Sequence, residues 1–473
     1  MGENDVKNVF SMEMRDEDYI HEVSTAKRFL ELWALEPGFS EKFQENPKQI
    51  IAEYEIDVDI ESLKILAIYK EAEKYKDSPV ESLPRAARRY RAFINEKIAA
   101  RSRLIESGCV PKHPAFKAWR GRQVNRCWAE LGRRNASIIH APFTFELSLG
   151  CSVGCPFCGV AAKKLEKIFR YTPENSKIWQ GVLKCVREIV GLAGGTGTCY
   201  YASEPLDNPD YESFANDFFA VFGVVPQLTT ATAMRNPKRV KQYLTYVTEQ
   251  EKHVHRFSLL SLETFHAVHQ YFTPEELLYV ELLPQFTEAP SCNFANTGRA
   301  RELEEKVEED KEGSTIACIT GFIVNMAEQT IRLITPCGAT SSNPTGEILI
   351  AKKSFNDAED FLQVLQDMID TYMKLDFNKN EIIHIRKNIT YEKAETGIVF
   401  YGKNGFKLKF KGNDDISVKH YHVVLDLLCK DELSTYDIAT QLYEKYNLFP
   451  ANTFFVLQKF IDAGFVYEPY ECE

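Results

Sequence analysis

Between about residues 140 and 350 the chain alternates short strand-like runs with amphipathic helical ones, and few folds accept that order. FTFELSL (143–149), TGTCYYA (196–202), PQLTTAT (226–232) and HRFSLLSL (255–262) read as strands. KIWQGVLKCVREIVGLA (177–193), YESFANDFFAVFG (211–223) and PKRVKQYLTYV read as the helices between them. Repeated βα units imply parallel strands in a barrel or open sheet, with the site at the strand C-termini. Two further strands, ACITGFIVNM and IRLITP, follow an acidic run, ELEEKVEEDKEG (302–313), that reads as a solvated loop or helix end.

Five regions follow from the change of rhythm along 473 residues, a length that supports more than one domain. Residues 1–80 are helical, with Phe29, Leu30, Leu32 and Trp33 at helical spacing and breaks at Pro37-Gly38 and Asn46-Pro47. A basic helical segment (81–140) carries Arg88, Arg89, Arg91, Lys97, Arg101, Arg103, Arg120, Arg122 and Arg126. Those cations form a solvated face, pair with acids elsewhere, or offer a surface to an acidic peptide or a cofactor carboxylate. After the αβ core (141–350) come a helical linker (351–392) and a last module (393–473). There GIVFYGKNGFKLKF reads as two strands around Asn404-Gly405, followed by three helical segments. Ser434 opens the second of these with an S-x-x-D capping pattern. Two strands and three amphipathic helices make a winged-helix-like unit.

A net charge of −11 and a pI near 5.6 argue against a general nucleic-acid binder. The N-terminal segment has no apolar signal region, and no apolar run approaches the roughly 20 residues that span a bilayer, so a soluble, cytoplasmic chain is expected. In that setting twelve cysteines read as metal ligands, reactive thiols or small core residues.

Three of them are clustered. GCSVGCPFCG sets Cys151, Cys155 and Cys158 at C-x3-C-x2-C just after an expected strand. Three thiolates in one loop can bind three irons of a cubane and leave the fourth open to a small chelator. A closed zinc site wants four ligands, and no fourth cysteine or histidine lies nearby. Gly150, Gly154 and Gly159 let the backbone wrap closely.

This motif, on the loop after the first strand of a βα domain and with Phe157 before its last cysteine, resembles that of the radical S-adenosylmethionine superfamily. The resemblance implies an α/β fold built on a partial (β/α)6 barrel, a [4Fe–4S] cluster on the three cysteines, and S-adenosylmethionine on the open iron. Ser203-Glu204-Pro205-Leu206 is similar to the family's Gly-Gly-Glu-Pro motif, so Ser203 and Glu204 would meet the amine of S-adenosylmethionine. Tyr-Ala-Ser stands where a small pair is usual. Thr230 and Thr232 fall where ribose hydroxyls are met, Ser258 and Ser261 where the carboxylate is. NTGRARE (296–302) resembles a Gly-Arg-Ala segment frequent late in this domain.

The last module resembles the leader-peptide recognition element of ribosomal peptide maturation, which adds its ligand as a strand. A dimerisation or DNA-type winged helix is the other reading of the same helices. FLELWALEPGFSEKFQENPKQIIAEYEIDVD near the N-terminus resembles the helical leaders of proteusin precursors, as scaffolding or as occupant of a leader site. Taken whole, the chain resembles the proteusin-type radical S-adenosylmethionine peptide epimerases, which invert L-residues to D-residues in a precursor peptide. That implies two partners, the precursor and an electron donor such as flavodoxin or ferredoxin. Epimerisation also needs a thiol that returns hydrogen to the radical carbon. Cys337, after an expected late strand, is the first candidate and Cys292 the second. Cys318 reads as core and Cys429 belongs to the last module. The rival reaction is peptide crosslinking, although no downstream C-x-x-C pair suggests an auxiliary cluster. A precursor-binding scaffold with a vestigial cluster is the non-enzymatic alternative.

Overall fold

The computed structural model describes residues 10, 15–292, 294–302, 314–375, 379–430 and 432–471. The acidic run at 303–313 lies outside them.

Helices α1 (Glu17–Leu35), α2 (Phe39–Glu45), α3 (Pro47–Glu53), α4 (Ile60–Ala67) and α5 (Tyr69–Glu73) form the N-terminal region. Long helices α6 (Arg85–Arg103) and α7 (Pro114–Leu131) follow. The middle of the chain runs β1 (Ala141–Glu146), β2 (Ser148–Leu149), β3 (Lys167–Ile168), α8 (Pro173–Val190), α9 (Tyr211–Phe222) and β4 (Thr229–Thr230). It continues through α10 (Pro237–Gln250), β5 (His255–Leu259), α11 (Leu262–Tyr271), β6 (Val280–Pro284), β7 (Ile319–Asn325), β8 (Thr330–Pro336), β9 (Glu347–Ser354) and α12 (Ala358–Tyr372).

The strands make an open arc rather than a closed barrel. One sheet has the order β1-β7-β8-β9 and another β4-β5-β6, with β1 parallel to β7 and β4, β5 and β6 mutually parallel. Thr198 joins the two, because its carbonyl accepts from Phe145 N at 2.9 Å and it bridges in parallel to Gln227. The strand expected at 196–202 does not form. Thr144 and Thr198 hydroxyls bond the carbonyls of Thr198 and Tyr200 at 2.7–3.2 Å, taking acceptors a ladder would need. Gly197 meanwhile presses so close that a Cβ there would stand 1.8 Å from Phe143 O. No ladder joins β6 to β7 among the described residues.

The main core lies between this arc and its helices. Phe143 and Phe145 of β1 pack with Trp179 of α8, Phe214 and Phe218 of α9, and Phe322 of β7. Helix α12, within the segment expected to link two domains, contributes Phe361, Leu365 and Met368 to that same core. A second core joins Phe29, Leu32, Phe39 and Phe43 of the leader-like N-terminal helices to Phe257, Leu259 and Val280 of β5 and β6. These helices thus pack directly on the parallel strands.

The basic segment is largely paired. Arg89 meets Glu22, Lys97 meets Glu281, Arg122 meets Glu468, and Arg120 donates to His140 O at 2.8 Å. Arg120, Arg122 and Arg126 are buried.

The C-terminal module carries one strand more than expected. Strands β10 (Thr390–Ala394), β11 (Gly397–Tyr401) and β12 (Lys407–Lys411) form an antiparallel sheet in that order, followed by α13 (Asp415–Leu428), α14 (Thr435–Tyr446) and α15 (Pro450–Asp462). Ser434 and Asp437 close a reciprocal cap on α14. The module leans on α7 throughout: Asn125 donates to Asp462 O at 2.7 Å, and Gly464 sits against the Arg122 and Arg126 backbone.

Candidate cofactor-binding site

The three clustered cysteines leave the C-terminal end of β1 on a loop that its neighbours grip from both sides. Cys151 N donates to Lys163 O at 2.9 Å and Leu165 N returns a bond to Cys151 O at 3.1 Å. Gly150, at φ +86°, lies where a Cβ would stand 2.2 Å from Lys164 O, so the loop's entry depends on glycine. Two sulfurs already accept backbone hydrogen bonds: Val153 N to Cys151 Sγ at 3.4 Å and Ala162 N to Cys158 Sγ at 3.3 Å. Burial first, then the neighbouring Cys158 and Cys151 sulfurs, push the Cys155 thiol up to about 11. Cys155 thus lies within reach of the charge on both neighbouring sulfurs. No group of three His, Cys, Asp or Glu among the described residues is placed to hold a single metal ion. A cubane asks for something else, one thiolate on each of three irons. A glycine-cradled trio of half-buried thiols fits that demand.

Beside the loop, Glu204, Thr230 and Thr232 form one hydrogen-bonded cluster. Glu204 is 4% exposed and accepts from Thr230 Oγ1 at 2.6 Å, Ala231 N at 2.9 Å and Leu206 N at 3.2 Å. Burial lifts its carboxyl above the ordinary range against the pull of those bonds. Thr230 and Thr232 hydroxyls stand 3.2 Å apart. Ser203 Oγ is shut off from solvent without a protein partner. A buried orphan hydroxyl beside a buried carboxylate is the donor-and-acceptor pair a polar ligand would satisfy. Ser258 projects from the face of β5 opposite the buried Phe257 and Leu259, next to Arg256. Ser261 instead caps α11 through Thr264 N at 3.1 Å. Phe157 stacks on Phe294 with centroids 4.3 Å apart.

Three residues that sequence reasoning did not single out organise this site. Asp207 takes the Ser152 amide at 2.8 Å and its hydroxyl at 2.5 Å, anchoring the cysteine loop to the Glu204 segment. Glu146, the last residue of β1, accepts from Ala202 N, Asn325 and Arg332 at 2.8–3.2 Å. Arg299 donates to Cys155 O at 2.9 Å and Ala162 O at 2.8 Å. Asp207 follows Glu204 by three residues and NTGRARE was legible as a segment, but their contacts are long-range.

Cys337 does not stand where a late parallel strand would put it. β8 runs antiparallel to β7, with Asn325 opposite Thr330 and Gly321 opposite Ile334, so β8 ends where β1 begins. Six residues along β8 are about 20 Å. The loop that Cys337 opens nonetheless returns toward the cysteines, since Pro344 O accepts from Gly298 N at 2.8 Å. Cys337 is 3% exposed, and burial, then the Glu130 carboxylate, pushes its thiol up to about 12. Cys292 is half-buried, two residues before the Phe294 that stacks on Phe157.

No protein-family model matches the chain. The uncharacterized protein y4wI of Sinorhizobium fredii (strain NBRC 101917 / NGR234) is 33% identical over 382 residues, covering 78% of this chain and 74% of that protein. A crystal structure of BtrN in complex with AdoMet and 2-DOIA is similar at 11% identity and a TM-score of 0.29, over 41% of this chain and 72% of that one, a likeness too slight to carry an argument.

Proposed function

The chain belongs to the same family as the rhizobial protein y4wI, and we propose that it is a radical S-adenosylmethionine enzyme that inverts L-residues to D-residues in a ribosomally made precursor peptide. The observation that carries this reading is the gripped loop of Cys151, Cys155 and Cys158 beside Glu204 and the orphan hydroxyl of Ser203. Those three thiols would hold a [4Fe–4S] cluster, while Phe157, Ser203, Glu204, Thr230, Thr232 and Ser258 would meet S-adenosylmethionine. When bound, and given one electron by a ferredoxin- or flavodoxin-type donor, this pair would supply hydrogen-atom abstraction at a substrate carbon.

Inversion at a Cα needs a hydrogen atom returned from the opposite face, and the chain's own thiol is the donor in this reading. Cys292 is the donor this reading favours, half-buried and two residues from the Phe294–Phe157 stack at the cysteine loop. The sulfur left behind regains one electron from the external donor and one proton from solvent. Cys337, the first candidate by sequence, is 3% exposed at the far end of β8 and is the second donor.

The precursor's leader would add to the outer edge of β12, which among the described residues pairs only with β11. Supporting this are a groove of about 650 Å³ lined by Asn125, Trp128, Leu408, Phe410 and Tyr421, and the exposed Lys407, Lys409 and Lys411 along that strand. An extended peptide with acidic residues suits both.

Co-expression with a leader-bearing precursor in deuterated water, followed by mass spectrometry, tests the reading. One deuterium per inverted residue is expected, with turnover lost in Cys292→Ala; loss only in Cys337→Ala would transfer the role. A product short of two hydrogens with no deuterium gained means crosslinking. Absence of S-adenosylmethionine cleavage by anaerobically reconstituted protein overturns the enzyme altogether.

A further inference from the structure

Residues 294–299 lie over the cysteine loop as a continuous cover, and each contact is specific. Phe294 stacks on Phe157 at an interplanar angle of 16°. The buried Thr297 stands so near Gly159 that a Cβ there would come within 2.8 Å of its hydroxyl. Gly298, at φ +54°, rests where a Cβ would be 2.4 Å from Cys158 O and 2.5 Å from Gly159 O. Arg299 N donates to Cys158 O at 3.0 Å, and its guanidinium spans Cys155 O and Ala162 O. One residue thus bonds three carbonyls of a loop that is otherwise held chiefly at its entry, through Cys151 and Ser152.

We infer that Arg299 is the positioning residue of the iron–sulfur site: it fixes the spacing of Cys155 and Cys158 and places a fixed positive charge beside the cluster those thiols would hold. This rests on the cofactor reading above. The two effects separate by chemistry. A planar guanidinium can serve two carbonyls in fixed directions, whereas an ammonium at the same position keeps the charge without the fork. A cation near the cluster favours its reduced, more negative state, so the charge raises the reduction potential.

The test compares full-length wild type, Arg299→Gln and Arg299→Lys after anaerobic reconstitution. In Arg299→Gln the midpoint potential, followed by electron paramagnetic resonance, should fall, and release of iron to a chelator should quicken about tenfold. Arg299→Lys should keep the potential and show the faster release. Hydrogen exchange on the metal-free proteins supplies an independent readout, because the Ala161 and Ala162 amides that bond Cys158 O and Sγ should lose protection in both variants. Wild-type protein that takes up no iron and sulfide defeats the cofactor reading, with or without a change in exchange. Wild type with a cluster, and variants with unchanged potential, release and exchange, overturns the role of Arg299.

Discussion

Arg126→Met is the most informative perturbation of the scaffold. The guanidinium is buried in the face of α7 turned toward the end of β8. It donates to Gln123 Oε1 at 2.9 Å, Glu130 Oε2 at 2.5 Å, Thr335 Oγ1 at 3.1 Å and Pro336 O at 2.5 Å. Methionine fills much of the volume and donates nothing. Stranded buried acceptors cost about 1–3 kcal/mol each, and removing one member of a buried ion pair about 3–5 kcal/mol. The terms overlap. Glu130 is 21% exposed and keeps the Gly338 amide at 2.8 Å, so it can recover some solvation. We therefore expect a net loss of about 3–5 kcal/mol. Urea unfolding followed through the fluorescence of Trp119 and Trp128, on the same helix, reads it as a lower midpoint at unchanged slope. Glu130→Gln in the Arg126→Met background should cost less than in wild type, with a coupling of about 0.5–3 kcal/mol. A loss below about 1 kcal/mol, or strictly additive variants, would refute the network as a stabilising unit.

Three other outcomes follow. The Cys337 thiol sits near 12 against an ordinary 9.0, so its contribution to stability is whole below pH 9 and is lost as pH rises through 9 toward 12; iodoacetamide labelling of Cys337 should be slow at pH 8 and rise about tenfold per pH unit, and a plateau near pH 9 would contradict the burial argument. Burial first, with Arg120 and Arg126 adding to it, holds His140 down near 3 against 6.5, so stability present above 6.5 is lost as pH falls toward 3; unfolding midpoints of wild type and His140→Asn should converge over that window, and parallel curves would count against it. Gly197→Ala should prevent native packing at β1, because its Cβ would stand 1.8 Å from Phe143 O, while Gly154→Ala, with nothing within 4 Å, should cost only about 1 kcal/mol for its φ of +67°; near-equal thermal shifts would show that the contact yields.

What the sequence disclosed and what it hid divide along the range of the interactions. Helices α8, α9 and α10 were legible because Trp179, Val182 and Val186, or Phe214 and Phe218, recur on one face at helical spacing. The cysteine loop and the capping pair at Ser434 were legible because their spacing is local. β6 and β9 went unread: VELLP is short, and EILIAKKS alternates with no fully buried face. The direction of β8 could have been read, since only four residues separate it from β7 and so short a link permits only an antiparallel return. Reading it would have moved Cys337 to the other end of the sheet. The buried arginines could not be read. Arg122 finds Glu468 across 346 residues, and nothing in a run of cations tells which will be enclosed.

Helix α7 has a consequence of its own. Asn125 and Trp128 form one wall of the β12 groove, while Arg126 and Cys127, on the same turn, hold Pro336 O at the start of the Cys337 loop. A segment seated in that groove and the Cys337 loop are thus referenced to a single stiff rod, not to a flexible tether between two bodies. Under the leader-binding reading proposed above, the rod would set the span from the groove to the sheet, so the number of residues a precursor carries between its anchored and reacting parts would be a quantity the fold measures.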